Sequence, residues 1–383
     1  MSRKLASVVV VDGLSPIEGK DRIEIAIVGG WQVIVQKGLY QVGGSAVFFE
    51  IDAMLNTEKF PDTTKWSSKL MHCIDGVTYA RVKTLKMGGT ISQGYMMPIS
   101  ELHPTLVAES NYPVGMDLTE ALGVLKYESH EERERNEGLD KQSRPKTFPD
   151  FIPKTDQNRV QNMTALYLKA VENNEEFEVT VKLDGSSLTA WAKPAENLAG
   201  VCSRNVGFDI RDRERPFIET LKDFIGQIWK RRLPFAKAKW NRIIPKSDNA
   251  FTRMANDSGL VQAIEKDGRA MAIQGEMVGP KIQKNFEGVD KNTFYCYDIY
   301  LIDEKRYMHP IERQLFCVEH GINHVPILHV GPLQEPTIPG VISYASGPSG
   351  LNGKYREGIV MKSLTNPNFS FKVISNEYLL KAG

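Results

Sequence analysis

The segment from Val179 to Ser187 constrains this chain more than any other. Val179-Thr180-Val181 is β-branched or hydroxylated, and Lys182-Leu183-Asp184-Gly185-Ser186-Ser187 turns polar, so a buried strand is expected to run out into an exposed loop. Lys182 stands at that mouth, and Asp184 shares its side if the backbone stays extended. An ordinary lysine, with a pKa of about 10.4, carries a proton and has no lone pair for attack. Burial, neighbouring cations or a metal lower that value and make the amine a nucleophile for a centre such as phosphorus. Taken alone, the segment fits an exposed salt bridge beside a turn better.

A chain of 383 residues exceeds what one ordinary core holds, so two domains are expected. The formal charge of +1 excludes a uniformly basic nucleic-acid coat and confines any polyanion-binding surface to a local patch. Cys73, Cys202, Cys296 and Cys317 are widely spaced and form no C-x-x-C pair. That argues against a disulfide scaffold or a cysteine-based zinc site and fits a reducing, cytoplasmic setting. The apolar run Val8–Val11 is too short for a signal peptide, and no stretch has the length of a membrane-spanning helix.

Residues 1–125 read as all-β. Leu5–Val11, Arg22–Val28, Trp31–Val35 and Ala46–Ile51 are β-branched or alternating, Gly29-Gly30 marks a hairpin, and Thr78–Leu85 is a later strand. Short strands at this spacing predict a small OB-like barrel. Arg81, Lys83 and Lys86 could lay positive charge on one of its faces or line a solvated strand. Residues 126–153, with the charged run 129–137, read as a linker.

Residues 154–383 mix helices and strands. A helix is predicted over Val160–Asn173 and another over Phe217–Trp229, whose Phe217, Leu221, Phe224, Ile225 and Ile228 share a side. Ala190-Trp191 and Val201-Cys202 fit an antiparallel meander following Lys182. Met271–Val278, Thr293–Ile302, Gly358–Lys362 and Ser370–Ile374 are further strands. From Trp229 to Lys246 cations interleave with aromatics and no acid occurs, as either a phosphate-binding surface or a solvated helix face would have it.

Four more segments join the Lys182 signal: Cys202-Ser203-Arg204-Asn205, Ile273-Gln274-Gly275-Glu276, Thr293-Phe294-Tyr295-Cys296-Tyr297-Asp298, and Glu357-Gly358-Ile359-Val360-Met361-Lys362 followed by Ser370-Phe371-Lys372. In this order they resemble the motifs of the covalent nucleotidyltransferase superfamily. More narrowly, with Thr155–Asn162, Gly279–Asn285 and the Trp31-containing barrel, the chain resembles ATP-dependent RNA ligases with an N-terminal OB-like domain, the fifth RNA-ligase family. The resemblance implies an N-terminal OB-like barrel followed by an α+β nucleotidyltransferase domain of antiparallel sheets with flanking helices.

It also implies site roles. Lys182 would attack ATP and carry AMP, with Lys362 and Lys372 as cationic neighbours. Arg159 would meet the β and γ phosphates, Arg204 the ribose or a 5′-phosphate, and Phe294 the adenine, with Val181 beside the nucleotide. Asp184, Glu276 and Glu357 would hold Mg²⁺ or Mn²⁺ through water, Glu276 alternatively binding the ribose. Related ligases end in two lysines one residue apart, whereas Val373 and Ile374 follow Lys372 here, which leaves the α-phosphate contact to Lys362, Lys372 or Lys381. The implied partner is RNA, with no membrane and no obligate protein partner. DNA ligases and capping enzymes share the core but carry their OB domain after the last motif, and this sequence ends at Gly383. A non-catalytic RNA-binding protein is the rival from another class.

Overall fold

The structure is a computed structural model, and it describes residues 3–102, 112–128, 147–214, 217–229, 243–244 and 246–381. The charged run 129–137 and most of the basic run 229–246 lie outside the described residues.

The N-terminal region is built of short antiparallel strands. Ser45–Phe49 lies between Ala6–Val10 and Tyr95–Pro98. Val47 and Phe49 join one core with Val8 and Leu55, while Ala46 and Phe48 join a second with Trp31 and Val33. A strand buried on both faces needs no polar alternation, which explains its unbroken apolar run. Gly29 and Gly30, at φ +55° and +82°, close the hairpin between Lys20–Val28 and Trp31–Gln36, the left-handed pair a two-residue loop requires.

The strand expected over Thr78–Leu85 is interrupted, ending at Arg81 and resuming as Leu85–Met87. Arg81 and Lys86 therefore serve different ends instead of one basic face. Arg81 pairs with Asp52 at 2.6 Å and lies over the Tyr127 ring, whereas Lys86 Nζ donates to the Leu380 carbonyl at 2.8 Å.

The C-terminal region holds a five-stranded and a six-stranded sheet. In the first, Glu176–Lys182 pairs antiparallel with both Gly358–Ser363 and Ile327–Pro332. In the second, Ser186–Lys193 pairs with Leu198–Cys202 and Met271–Val278, which in turn pairs with Thr293–Leu301. Among the described strands the pairings are antiparallel except Asn158–Arg159 beside Ser370–Ile374, and an isolated parallel bridge joins Cys296 to His324. The antiparallel meander expected after Lys182 lies in the second sheet, and the turn Leu183–Gly185 carries the chain to it from the first. Gly185 permits this, because a Cβ there would stand 2.4 Å from the Met277 carbonyl oxygen.

Of the predicted helix over Val160–Asn173, Thr164–Glu172 is α-helical after a 3₁₀ turn at Val160–Met163. Phe217–Trp229 is helical over its expected span, with Phe217, Ile218 and Trp229 exposed. Phe148, Phe151 and Ile152, read as the end of a linker, pack against Ala272, Tyr300 and Ile302. The two regions meet through several contacts. Arg159 faces the Trp31 ring at 5.3 Å, and Asn162 Nδ2 donates to Glu50 Oε1 at 3.0 Å.

Candidate active site

Lys182 ends its strand at the seam between the sheets, opening on a cavity of about 460 Å³. Its Nζ donates to Glu357 Oε2 at 2.6 Å. The register fixes that contact, because Lys182 pairs with Gly358, the residue after Glu357. Glu276 arrives from the other sheet, opposite Ser187, and Asp184 from the turn between them. The three acids and Lys182 therefore line one cavity.

The charge balance differs from the expectation of a neutral amine. Burial pushes the Lys182 pKa down, but Glu357, then Glu276 and Asp184, outweigh it and raise it above the ordinary lysine value. Burial lifts Glu276 to about 7, with Lys182 pulling the other way and Glu357 and Asp184 adding to the rise. Asp184 is raised by burial and Glu357, against the pull of Tyr378 and Lys182. Three carboxyl groups thus lie around Lys182 in a cavity that Lys372 and Arg204 also line, and each acid favours the protonated amine.

Of the expected cationic neighbours, Lys372 lines the cavity and Lys362 does not. Lys362 is paired in register with Glu178, four residues and about 13 Å down the strand from Lys182. It is buried, 2.7 Å from Asp298, and donates to the Tyr297 carbonyl. Lys381 pairs with Glu377 on the exposed surface of the last helix, outside the cavity. Lys372 is pushed down to about 8 by burial, with Lys182 and Arg159 adding to the drop.

Phe294 is a correction. It is 1% exposed and belongs to the core, its ring filling the space over Gly275, where a Cβ would lie 2.3 Å from Phe294 Cζ. Alternation puts Tyr295 and Tyr297 on the other face, and Tyr297 lines the cavity. Its hydroxyl shares a hydrogen bond with Ser187 Oγ at 3.1 Å. Sequence parity separated Phe294 from Tyr295 but could not tell which parity faced the cleft. Val181 lines the cavity while packing with Leu183 and Val278.

A wider cavity of about 1100 Å³ continues the first towards the N-terminal region and shares Lys182, Glu357, Lys372 and Arg204 with it. Arg204 sits at the mouth, paired with Asp156 at 2.7 Å. Arg159 faces this space, and its buried Nη1 has no hydrogen-bond partner among the described residues. Burial lowers its pKa to about 10, Glu50 opposing the drop. Two further residues escaped the sequence reading. Tyr378 donates its hydroxyl to Asp184 Oδ2 at 3.0 Å, and Glu287 accepts the Asp184 backbone N–H at 2.9 Å.

A lysine aimed from a strand end into an acid-lined cavity, with a second cavity joining an antiparallel barrel to it, defines a nucleotidyltransferase-like site. The comparisons agree. The RNA ligase family profile matches residues 175–374, and one described as an OB-fold domain matches residues 5–99. A lysine-to-alanine variant of Naegleria gruberi RNA ligase, solved with ATP and Mn, is 32% identical over 99% of each chain, with a TM-score of 0.72. A lysine-to-methionine variant with AMP and Mn is 33% identical over the same shares, also at 0.72. The form with PPi is 32% identical over 99% of each chain, at 0.71. No curated protein sequence matches this chain. The chain belongs to the RNA ligase family and has an N-terminal OB-fold domain.

Proposed function

We propose that this enzyme is an ATP-dependent RNA ligase that joins 3′-OH and 5′-phosphate ends, sealing nicks through lysyl-AMP and 5′-adenylylated RNA. One observation carries the reading: Lys182 is held at the sheet seam, 2.6 Å from Glu357, facing a cavity it shares with Glu276, Asp184 and Lys372. The ATP-, AMP- and Mn-containing Naegleria structures support ATP and a divalent metal as its co-substrate and cofactor.

The acids suit such a metal. Among the described residues no three His, Cys, Asp or Glu side chains are grouped to grip an ion directly. Asp184, Glu276 and Glu357, which share one cavity, would hold hydrated Mg²⁺ or Mn²⁺ through water. When bound, the ion supplies charge that offsets the carboxylates and the phosphate.

The chain's own residues do the rest. The strand aims Lys182, and Glu357 Oε2, 2.6 Å away, takes the proton that leaves its amine. The freed lone pair forms a bond to the α-phosphorus of ATP, the bond to the bridging oxygen breaks, and pyrophosphate departs with that electron pair. Lys372, the lysine that shares the cavity, meets the α-phosphate, and Tyr297 offers its ring to the base. Arg159, with Nη1 unpaired and buried, takes the β and γ phosphates. Arg204 then receives the 5′-phosphate of RNA, which displaces Lys182 and takes AMP. A 3′-hydroxyl held by the OB-fold region finally displaces AMP. In this reading residues 1–125 dock RNA, 126–153 connect, and 154–383 carry the chemistry.

The test is sealing of a nicked duplex with an RNA 3′-OH strand and a 5′-phosphate, in the presence of ATP and Mg²⁺ or Mn²⁺. An ATP-dependent sealed product is expected, with RNA preferred to DNA at the 3′-OH. Tight RNA binding without sealing would favour a non-catalytic binding protein instead.

A further inference from the structure

Asp184 is held from two directions by groups far from it in sequence. From one side the Tyr378 hydroxyl donates to Oδ2 at 3.0 Å. From the other, Glu287 Oε1 accepts the Asp184 backbone N–H at 2.9 Å, and Glu287 Oε2 accepts from Ser349 Oγ at 2.8 Å. Glu287 is 1% exposed, so this anchor is set in the core. Phe286 meets the Tyr378 ring edge-on, centroids 5.1 Å apart, which packs the two holds against each other. The helix bearing Tyr378, Asn376–Lys381, is braced from the N-terminal region by the Lys86 contact to Leu380.

A short carboxylate side chain can turn about its Cβ–Cγ bond, and each turn exchanges the oxygen it shows to a ligand. A hydroxyl donor on Oδ2 stops that exchange while leaving the negative charge in place, on a residue that lines the cavity with Lys182, Glu276 and Glu357. A cationic donor in the same place would have cancelled the charge the site needs. The backbone hold from Glu287 and the tight seat of Gly185 against Met277 fix the turn from which Asp184 projects.

The geometry points to Tyr378 as a positioning residue, whose hydroxyl sets the Asp184 carboxylate in the orientation that receives a hydrated divalent ion with the nucleotide. This rests on the reading of Asp184 as a water-mediated metal carboxylate. Tyr378 lines the wider cavity but not the one that holds all three acids, and its proposed action runs through its hydrogen bond to Asp184.

The test is equilibrium binding of ATP to the full chain carrying Lys182→Met, which removes the chemistry, with and without Mg²⁺. The quantity read is the gain in ATP affinity on adding Mg²⁺. Tyr378→Phe keeps the ring on Phe286 and is expected to cut that gain roughly tenfold, the worth of one hydrogen bond to a charged group at the low end of its range. Its melting temperature and its ATP affinity without Mg²⁺ should hold. Asp184→Asn should reduce the gain at least as much, and adding Tyr378→Phe to it should do nothing further. If Asp184→Asn lowers the gain but Tyr378→Phe does not, the positioning role is wrong while the metal reading of Asp184 stands. If Asp184→Asn leaves the gain unchanged, that reading falls and takes the inference with it. A further loss in the double variant would show Tyr378 acting by another route and would overturn the proposal too.

Discussion

Lys182 Nζ and Glu357 Oε2 meet at 2.6 Å because Lys182 and Gly358 are partners in one antiparallel ladder. The contact is a property of the sheet register more than of two flexible side chains. It places an amine that must lose its proton beside the carboxylate that most strongly retains it. In the proposed mechanism the acids therefore hold Lys182 in its protonated form until a divalent ion offsets them.

That arrangement has a pH consequence. Burial lowers the Lys182 pKa, yet Glu357, Glu276 and Asp184 raise it overall. A raised lysine value means the ion pair stabilises the fold fully below the ordinary lysine pKa and loses its contribution as pH climbs through the raised one. Lysine adenylylation at saturating ATP should accordingly increase with alkaline pH. Glu276→Gln removes one of the groups that raise Lys182, so the rise should move to lower pH, even with a lower plateau. An unmoved profile in a pH series of labelling rates would contradict the charge balance.

Phe294 and Tyr297 should separate cleanly. Phe294→Ala opens the core over Gly275 and is expected to cost about 3–5 kcal/mol of unfolding free energy, measured by denaturant titration. Tyr297→Leu keeps apolar bulk but removes the ring from the cavity wall, and is expected to weaken ATP binding severalfold with a smaller stability loss. The reverse pattern would restore Phe294 as the base-stacking residue.

Gly185 is required by a close approach. In Gly185→Ala the new Cβ would stand 2.4 Å from the Met277 carbonyl oxygen and 2.9 Å from Glu276 Cγ. Either the turn shifts or the strand does, at a cost of about 1–3 kcal/mol. Because the same shift displaces Asp184 and Glu276, the fall in labelling should exceed what the lower melting temperature explains. Normal labelling at a normal melting temperature would show the seam to be looser than described.

His324 reports on a buried charge network behind the site. Arg313, 1% exposed, donates to His324 Nε2 at 3.1 Å and pairs with Glu178 and Asp298, while His324 Nδ1 meets the Val325 carbonyl at 2.7 Å. Nε2 therefore accepts and Nδ1 carries the hydrogen, a neutral ring. Burial and then Arg313 lower its pKa to about 4. The stability this contributes is present above the unfolded histidine value of about 6.5 and is lost as pH falls towards 4, at no more than about 1.4 kcal/mol per pH unit. His324→Gln should flatten that part of a stability–pH curve measured by urea unfolding. An equal slope in both proteins would mean His324 is not held neutral.

Much of this was legible in the sequence, for physical reasons that also mark where legibility stops. Gly29-Gly30 could only be a tight hairpin, and Met271–Val278 carried enough apolar character to give its span outright. Lys182, Asp184, Glu276 and Glu357 were found together because each sits at a strand end or turn with a recognisable motif around it. Lys362 was misplaced because its distance from Lys182 depends on register, which pairs it with Glu178 and is set by contacts far along the chain. Phe294 was misplaced because alternation gives parity but not which face looks inward. The crossing between sheets at Gly185, and the reach of Tyr378 back to Asp184, join residues whose proximity no local pattern encodes.

Mass spectrometry of the purified protein after incubation with ATP and Mg²⁺, followed by peptide mapping, tests the central claim most directly. The expected result is a single covalent AMP on Lys182, absent from Lys182→Arg. Unmodified protein under conditions that adenylylate a control ligase, or AMP carried instead by Lys372, would contradict it.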